Sequence, residues 1–129
     1  MSLTMFEPHP GSPVAERVEE ILTTLQTQPG IHQVALSTAD GLAMRPTSVG
    51  ATQLAAVAGF LLAAASQASL MLQLGKPADI TFQGKQRFVC YPFQVGSFHL
   101  ILTLLVEANV NYHKHVTRTI KAIGRVIAD

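Results

Sequence analysis

The sequence predicts an α+β fold: an α/β/α sandwich on a five-stranded antiparallel sheet, in the order α-β-β-α-β-β-β-α. Three observations lead there. Residues 97–106 read as a strand that is apolar on both faces, Phe98, Leu100, Leu102 and Leu104 against Ile101 and Leu105, so both sides of the sheet must be covered. Three successive strand patterns between 78 and 106 are joined by short turns at Gly84-Lys85 and Gln94–Gly96, which makes an antiparallel meander. Between Pro46 and Gly75 no residue is charged, and most of that stretch reads as one long helix with apolar groups on nearly every side.

The elements follow in order. Residues 1–11 are Pro/Gly-rich and read as a disordered N-terminal tail. Residues 12–129 form a single domain, long enough for one core. Ser12-Pro13 starts the first helix: Ser caps free N–H groups, and Pro is tolerated at the first helical position. Val14, Val18, Ile21, Leu22 and Leu25 recur at helical spacing until Pro29-Gly30 ends the pattern. Residues 31–37 form a strand, Asp40-Gly41 a hairpin turn and Leu42–Arg45 a short return strand stopped by Pro46. After the long helix, Gly75 is expected as its C-terminal cap, with Pro77 preventing continuation. Ala78–Gln83 alternates Ile80 and Phe82 with Asp79, Thr81 and Gln83, which suits an edge strand. Gln86–Phe93 and Ser97–Val106 complete the sheet. A last helix from about Asn109 turns Val116, Ile120, Ile123 and Ile127 inward.

The uncharged helix needs cover on more than one side, either from lipid or from its own sheet plus a partner. Leu54–Leu74 is long enough to span a bilayer, for which about 20 apolar residues suffice. Yet seven of its 21 residues are Ala, four are polar (Ser66, Gln67, Ser69, Gln73), and no aromatic belt or positive-inside asymmetry flanks it. A soluble domain is the better reading. At about 100° per residue, Leu54, Val57, Leu61, Ala64, Ala68, Met71 and Leu72 fall on one arc, the seam expected to pack on the sheet. Ala58, Leu62, Ala65 and Ser69 make a stripe beside it, small enough for a second helix to approach closely. Gly59, Ser66 and Gln73 lie opposite the seam, where they can meet water. The stripe, together with Asp79, Ile80, Thr81 and Phe82 on the edge strand, is the expected homodimer interface.

Nine basic and eight acidic residues exclude a strong overall charge as a basis for nucleic-acid binding. The charge is unevenly spread. Residues 1–50 hold two bases against five acids, and residues 76–129 seven bases against three acids. One cysteine, Cys90, excludes an internal disulfide, and with no cationic-then-apolar leader the chain reads as cytoplasmic.

No residue set suggests catalysis, a metal or a cofactor. His113 and His115 are two apart on a helix, point in different directions and have no carboxylate or Cys spaced to complete a site. His99, alternating with apolar neighbours, reads as a buried, hydrogen-bonded imidazole, and Cys90 as a core thiol. Neither a phosphate-binding glycine loop nor a Ser nucleophile elbow is present. Lys114, Arg118, Lys121 and Arg125 form an outward basic stripe on the last helix, partly balanced by Glu16, Glu19 and Glu20 if the terminal helices are neighbours.

The element order, the Ser37-Thr38-Ala39-Asp40-Gly41-Leu42-Ala43 hairpin and the helix running on from Leu54-Ala55-Ala56-Val57-Ala58 resemble the roadblock family of dynein light chains and bacterial GTPase regulators. The resemblance covers residues 14–127. It implies a profilin-like sandwich that forms a homodimer or heterodimer, the long helices side by side and the following strands paired into a ten-stranded sheet. It further implies a non-enzymatic regulator or scaffold for a small Ras-like GTPase, with Arg45, Lys114, Arg118, Lys121 and Arg125 as candidates for docking. Where many bacterial members have glycines between the last strand and last helix, this chain has Glu107-Ala108-Asn109-Val110-Asn111. The alternative is a small-ligand sensor of the PAS, GAF or profilin-like kind, which would need a roomy pocket with convergent polar groups.

Overall fold

The computed structural model describes residues 13–39, 41, 43–46 and 48–128. Its elements are α1 (Pro13–Gln26), β1 (Ile31–Thr38), β2 (Ala43–Arg45), α2 (Val49–Leu72), β3 (Ile80–Gln83), β4 (Gln86–Val95), β5 (Phe98–Glu107) and α3 (His113–Ala128). This is the expected order, on one five-stranded sheet arranged β2-β1-β5-β4-β3 with every neighbouring pair antiparallel. The expected tail at 1–11, the Ser12 cap, and Asp40 and Leu42 of the hairpin lie outside the described residues.

Alternation along the central strands divides the interior in two. Val34 and Leu36 of β1, Val89 of β4 and Leu100, Leu102, Leu104 and Val106 of β5 face α1 and α3, where they meet Val18, Leu22, Leu25, Val116, Ile123 and Ile127. Ala35, Phe88, Cys90 and Ile101 face the other way, onto Ala51, Leu54 and Ala58 of α2. Because residues two apart share a face, β5 serves both layers at once. Cys90 is the expected core thiol.

Several boundaries move. The cap of α2 at its C-terminus is Gln73, in the left-handed region at φ 59°, not Gly75. Leu74 N–H closes the last turn on the Ser69 carbonyl at 2.9 Å. β3 begins at Ile80 rather than Ala78, and α3 begins at His113 rather than near Asn109. The intervening chain is held elsewhere: Glu107 N–H bonds the Gly30 carbonyl at 2.9 Å, and Val110 lies where a Cβ on Gly30 would stand.

The largest correction concerns the orientation of α2. The expected seam holds only at Leu54 and, half-buried, Leu61, whereas Val57, Ala64, Ala68, Met71 and Leu72 are exposed. The face on the sheet is instead Ala51, Leu54, Ala55 and Ala58, and Gly59, expected to meet water, is buried. Small groups let the helix axis lie close to strands that also present small groups there, Ala35, Ser37, Cys90 and Thr103. Gly41 shows how close. A Cβ on it would stand 3.1 Å from the Ala55 carbonyl and 3.3 Å from the Gly59 Cα. On a helix that is apolar all round, hydrophobic periodicity carries no orientation, and close approach decides it.

Candidate functional site

The residues that α2 turns away from the sheet form the most conspicuous surface. Phe60 is 73% exposed, Met71 81% and Val49 78%, and they succeed one another at intervals of eleven residues, three helical turns. Val57, Ala56, Ala63 and Ala64 share the arc between them with Gln53 and Gln67, all exposed. Leu70, Leu72 and Leu74 extend it past the end of the sheet. Beside it runs β3, the terminal strand. Ile80 and Phe82 pair with Cys90 and Phe88, which face α2, so they share that side of the sheet. Ile80 is half-buried, while Phe82 is 63% exposed. Monomers rarely leave so many large apolar groups contiguous and open.

The members of the expected contact stripe differ in burial. Ala58 is fully buried and Leu62 half-buried against the chain's own sheet, and Ala65 and Ser69 are half-buried. The open arc lies on the opposite side of the helix. Of the edge-strand group, Asp79, Thr81 and Phe82 are exposed as an interface requires. Phe60 is the signal that sequence reading missed: it is the one aromatic residue of α2.

A second feature lies beneath the far half of α2. Past Leu62 the helix overhangs the sheet, and a groove of about 290 Å³ opens between Leu62 and Ser66 on one wall, Lys76 and Pro77 on another, and Pro92 and His99 below, while the ring of neighbouring Phe93 turns to the α1 and α3 layer. It adjoins a hollow of about 380 Å³ that shares Ser66, Lys76 and Pro77. His99 is therefore exposed, against the expectation that it is buried, because α2 has left the sheet where β5 begins.

The Roadblock/LC7 domain profile matches residues 17–104, more than half the chain. The chain belongs to the Roadblock/LC7 family. Solved structures agree on the fold. The gliding protein MglB of Thermus thermophilus superposes with a TM-score of 0.68 at 20% identity, covering 88% of this chain and 90% of that one. A Roadblock/LC7 domain from Streptomyces avermitilis gives 0.66 at 17%, covering 84% and 93%. MglB of Myxococcus xanthus gives 0.63 at 16%, covering 86% and 91%. No curated protein matches the sequence.

In this roadblock domain the docking candidates separate into two kinds. Lys114, Arg118, Lys121 and Arg125 are all exposed along α3, opposite its buried line of Val116, Ile123 and Ile127. The stripe lies beyond the family match, which ends at Leu104. Arg45 is different: its side chain is only 13% exposed and its Nη1 donates to Glu19 Oε2 at 2.9 Å. It ties β2 to α1, so it is unsuited to docking, and it, not the α3 stripe, takes up Glu19. His113 is engaged locally, its Nδ1 3.3 Å from the Tyr91 hydroxyl and its ring 4.6 Å from that of Tyr112. Burial, then the neighbouring Tyr112, holds the Tyr91 phenol well above its usual range. Burial, reinforced by the charge of Asp79, pushes the Cys90 thiol up to about 11, opposite to what a nucleophile needs. α2 is the one helix among the described residues long and apolar enough to cross a membrane. Here it is the second layer of the sandwich.

Proposed function

We propose that the protein is a homodimeric, non-enzymatic regulator or scaffold for a small Ras-like GTPase, working in the cytoplasm. The observation that carries the dimer is the open apolar arc of α2, Val49, Val57, Phe60 and Met71, together with exposed Phe82 on a strand that ends the sheet among the described residues. Two copies related by a two-fold would cover both at once, helix beside helix and β3 beside β3. The interface so drawn keeps Asp79, Ile80, Thr81 and Phe82 and replaces the Ala58 stripe with the arc around Phe60. One relative is described as MglB with a tetrameric arrangement, with a TM-score of 0.69 at 20% identity, which supports self-association of this fold. GTPase regulation rests on family membership. A regulator of this kind needs no catalytic group of its own. It shifts a nucleotide switch by binding one arrangement of the GTPase's mobile loops more tightly than the other. The exposed stripe of Lys114, Arg118, Lys121 and Arg125 is available for docking an acidic surface.

The test has two steps. Phe60→Arg places an unpaired charge in a dry contact and should turn the dimer into monomer or aggregate in light scattering, with secondary structure retained. The wild-type protein is then mixed with a Ras-like GTPase encoded beside it, loaded with GTP or GDP. Co-elution clearly stronger with one nucleotide supports regulation, and equal co-elution leaves a tether. Absence of binding to any such GTPase removes the functional reading and leaves the dimer standing.

A further inference from the structure

The basic stripe of α3 stands straight out from the sheet. At about 100° per residue, Lys114, Arg118, Lys121 and Arg125 fall within an arc of about 60°, centred opposite the buried line of Val116, Ile123 and Ile127. The helix contains no acidic residue, and the other side chains it exposes are His113, Thr117 and Ala128. Asp129, which follows the helix, lies outside the described residues, and Lys114, Arg118 and Lys121 stand about two turns or more before it. The neighbouring helix does not neutralise them. α1 packs beside α3 and over β1 and β2, and the Glu19–Arg45 pair fixes which of its sides faces β2. On the same wheel Glu16 and Glu20 lie toward β2 and outward, and exposed Arg17 stands between them and α3. Asp79 and Glu107 adjoin the ends of β3 and β5, at the level of the sheet and about 10 Å beneath, the thickness of a helix.

We propose that this face docks on the surface of an anionic lipid bilayer, with the α3 cations over the headgroups and no segment inserted. A protein partner grips through aromatic or aliphatic anchors seated in pockets, with charges at the rim. α3 exposes no large apolar side chain, and the hollow along it is walled by His113, Lys114, Thr117, Arg118 and Lys121. A plane of anionic headgroups needs no anchor, because each cation near it adds about fivefold to partitioning. The dimer proposed above doubles the effect. Antiparallel pairing of β3 with its twin has its two-fold axis perpendicular to the sheet, so like layers stay on the same side. α3 packs on β4, next to β3, and so becomes an inner helix of its layer. The two stripes then share one face, and the α2 pair covers the other. Only this doubling rests on the dimer. No GTPase enters the test, so GTPase regulation and lipid docking can fail separately.

The full-length protein is sedimented with vesicles of phosphatidylcholine alone or with about a third phosphatidylserine, at about 0.1 M salt. It should pellet with the anionic vesicles and not with the neutral ones, and about 0.5 M salt should release it. Arg118→Gln with Lys121→Gln, both at exposed positions, should lower partitioning about 25-fold or more. Lys76→Gln with Lys85→Gln removes the same charge from exposed positions outside the α3 layer, and should lower it by less than about threefold. Circular dichroism should show both variants folded like the wild type. Equal pelleting with the two kinds of vesicle would overturn the proposal, as would equal losses in the two variants. Failure to pellet with the anionic vesicles would also overturn it and would leave the stripe to an acidic protein surface.

Discussion

Cys90 illustrates how burial fixes reactivity at a single position. It is fully buried between β3 and β5, and its thiol is pushed up to about 11 by burial and by the charge of Asp79. The native thiol therefore stays protonated through neutral pH, and it should resist alkylation by iodoacetamide at pH 8 until the protein is unfolded. The linkage has a definite sign. From pH about 9 upward the unfolded thiol loses its proton while the native one keeps it, so stability falls as pH rises from about 9 to 11. The denaturant midpoint of the wild type should fall relative to that of Cys90→Val across that window. Ser37 and Thr103 bear on the same layer. Both are fully buried under α2, and neither Oγ nor Oγ1 has a hydrogen-bond partner among the described residues. Removing a buried unpaired hydroxyl without changing shape is neutral or stabilising, so Thr103→Val should raise stability by up to about 1 kcal/mol in urea unfolding.

At the scale of elements, α2 shows both what is legible in the sequence and what is not. Its existence and extent follow from the absence of charge and the helix-forming alanines, and Ser48 starts it by accepting the Ala51 N–H at 3.0 Å. Its rotation about its own axis does not follow. Periodicity puts large apolar side chains inward, but the sheet beneath α2 is lined by Ala35, Ser37 and Cys90, and the helix meets it with Ala51, Ala55 and Ala58. The choice is steric, a matter of two smooth surfaces, and hydrophobicity alone ranks Phe60 above Ala58 for burial. The other helices pose no such problem. α3 opposes Val116, Ile123 and Ile127 to a basic stripe, so its inner and outer faces are plain from spacing. β5, apolar on both faces, also reveals its central place in the sheet. His99 escapes such reading because alternation names a face, not whether the covering helix reaches that far. The close fit of α2 has a direct consequence. Ala55→Leu would wedge three heavy atoms between the helix and the Gly41 turn, and overpacking of that kind costs about 1–3 kcal/mol. The same change at exposed Ala63 should leave the melting temperature of the isolated fold nearly unaltered.

For the whole molecule the open question of physical chemistry is the fate of β3. It is a four-residue terminal strand whose outer backbone groups have no neighbouring strand among the described residues, and Phe82 stands on it 63% exposed. Such an edge is a template for another strand, and proteins that keep theirs unpaired protect it with lysine, proline or a bulge. This edge has neither lysine nor proline between Ile80 and Gln83, and its register with β4 runs unbroken. An aromatic residue there is a liability in a monomer and a contact in a dimer. Phe82→Lys therefore separates the two cases. Already exposed in the single chain, position 82 should accept lysine with little loss of intramolecular stability. In a two-fold dimer the change is made twice, and each copy forfeits the burial of a Phe side chain, about 1.5–3 kcal/mol. The dissociation constant from sedimentation equilibrium should rise about a hundredfold or more. Urea unfolding at concentrations well below that constant should give nearly the same midpoint as wild type under matched monomeric conditions. Unaltered association would mean that the helices alone hold the dimer and that β3 remains an edge. A large loss of monomer stability would mean that Phe82 supports the fold of its own chain.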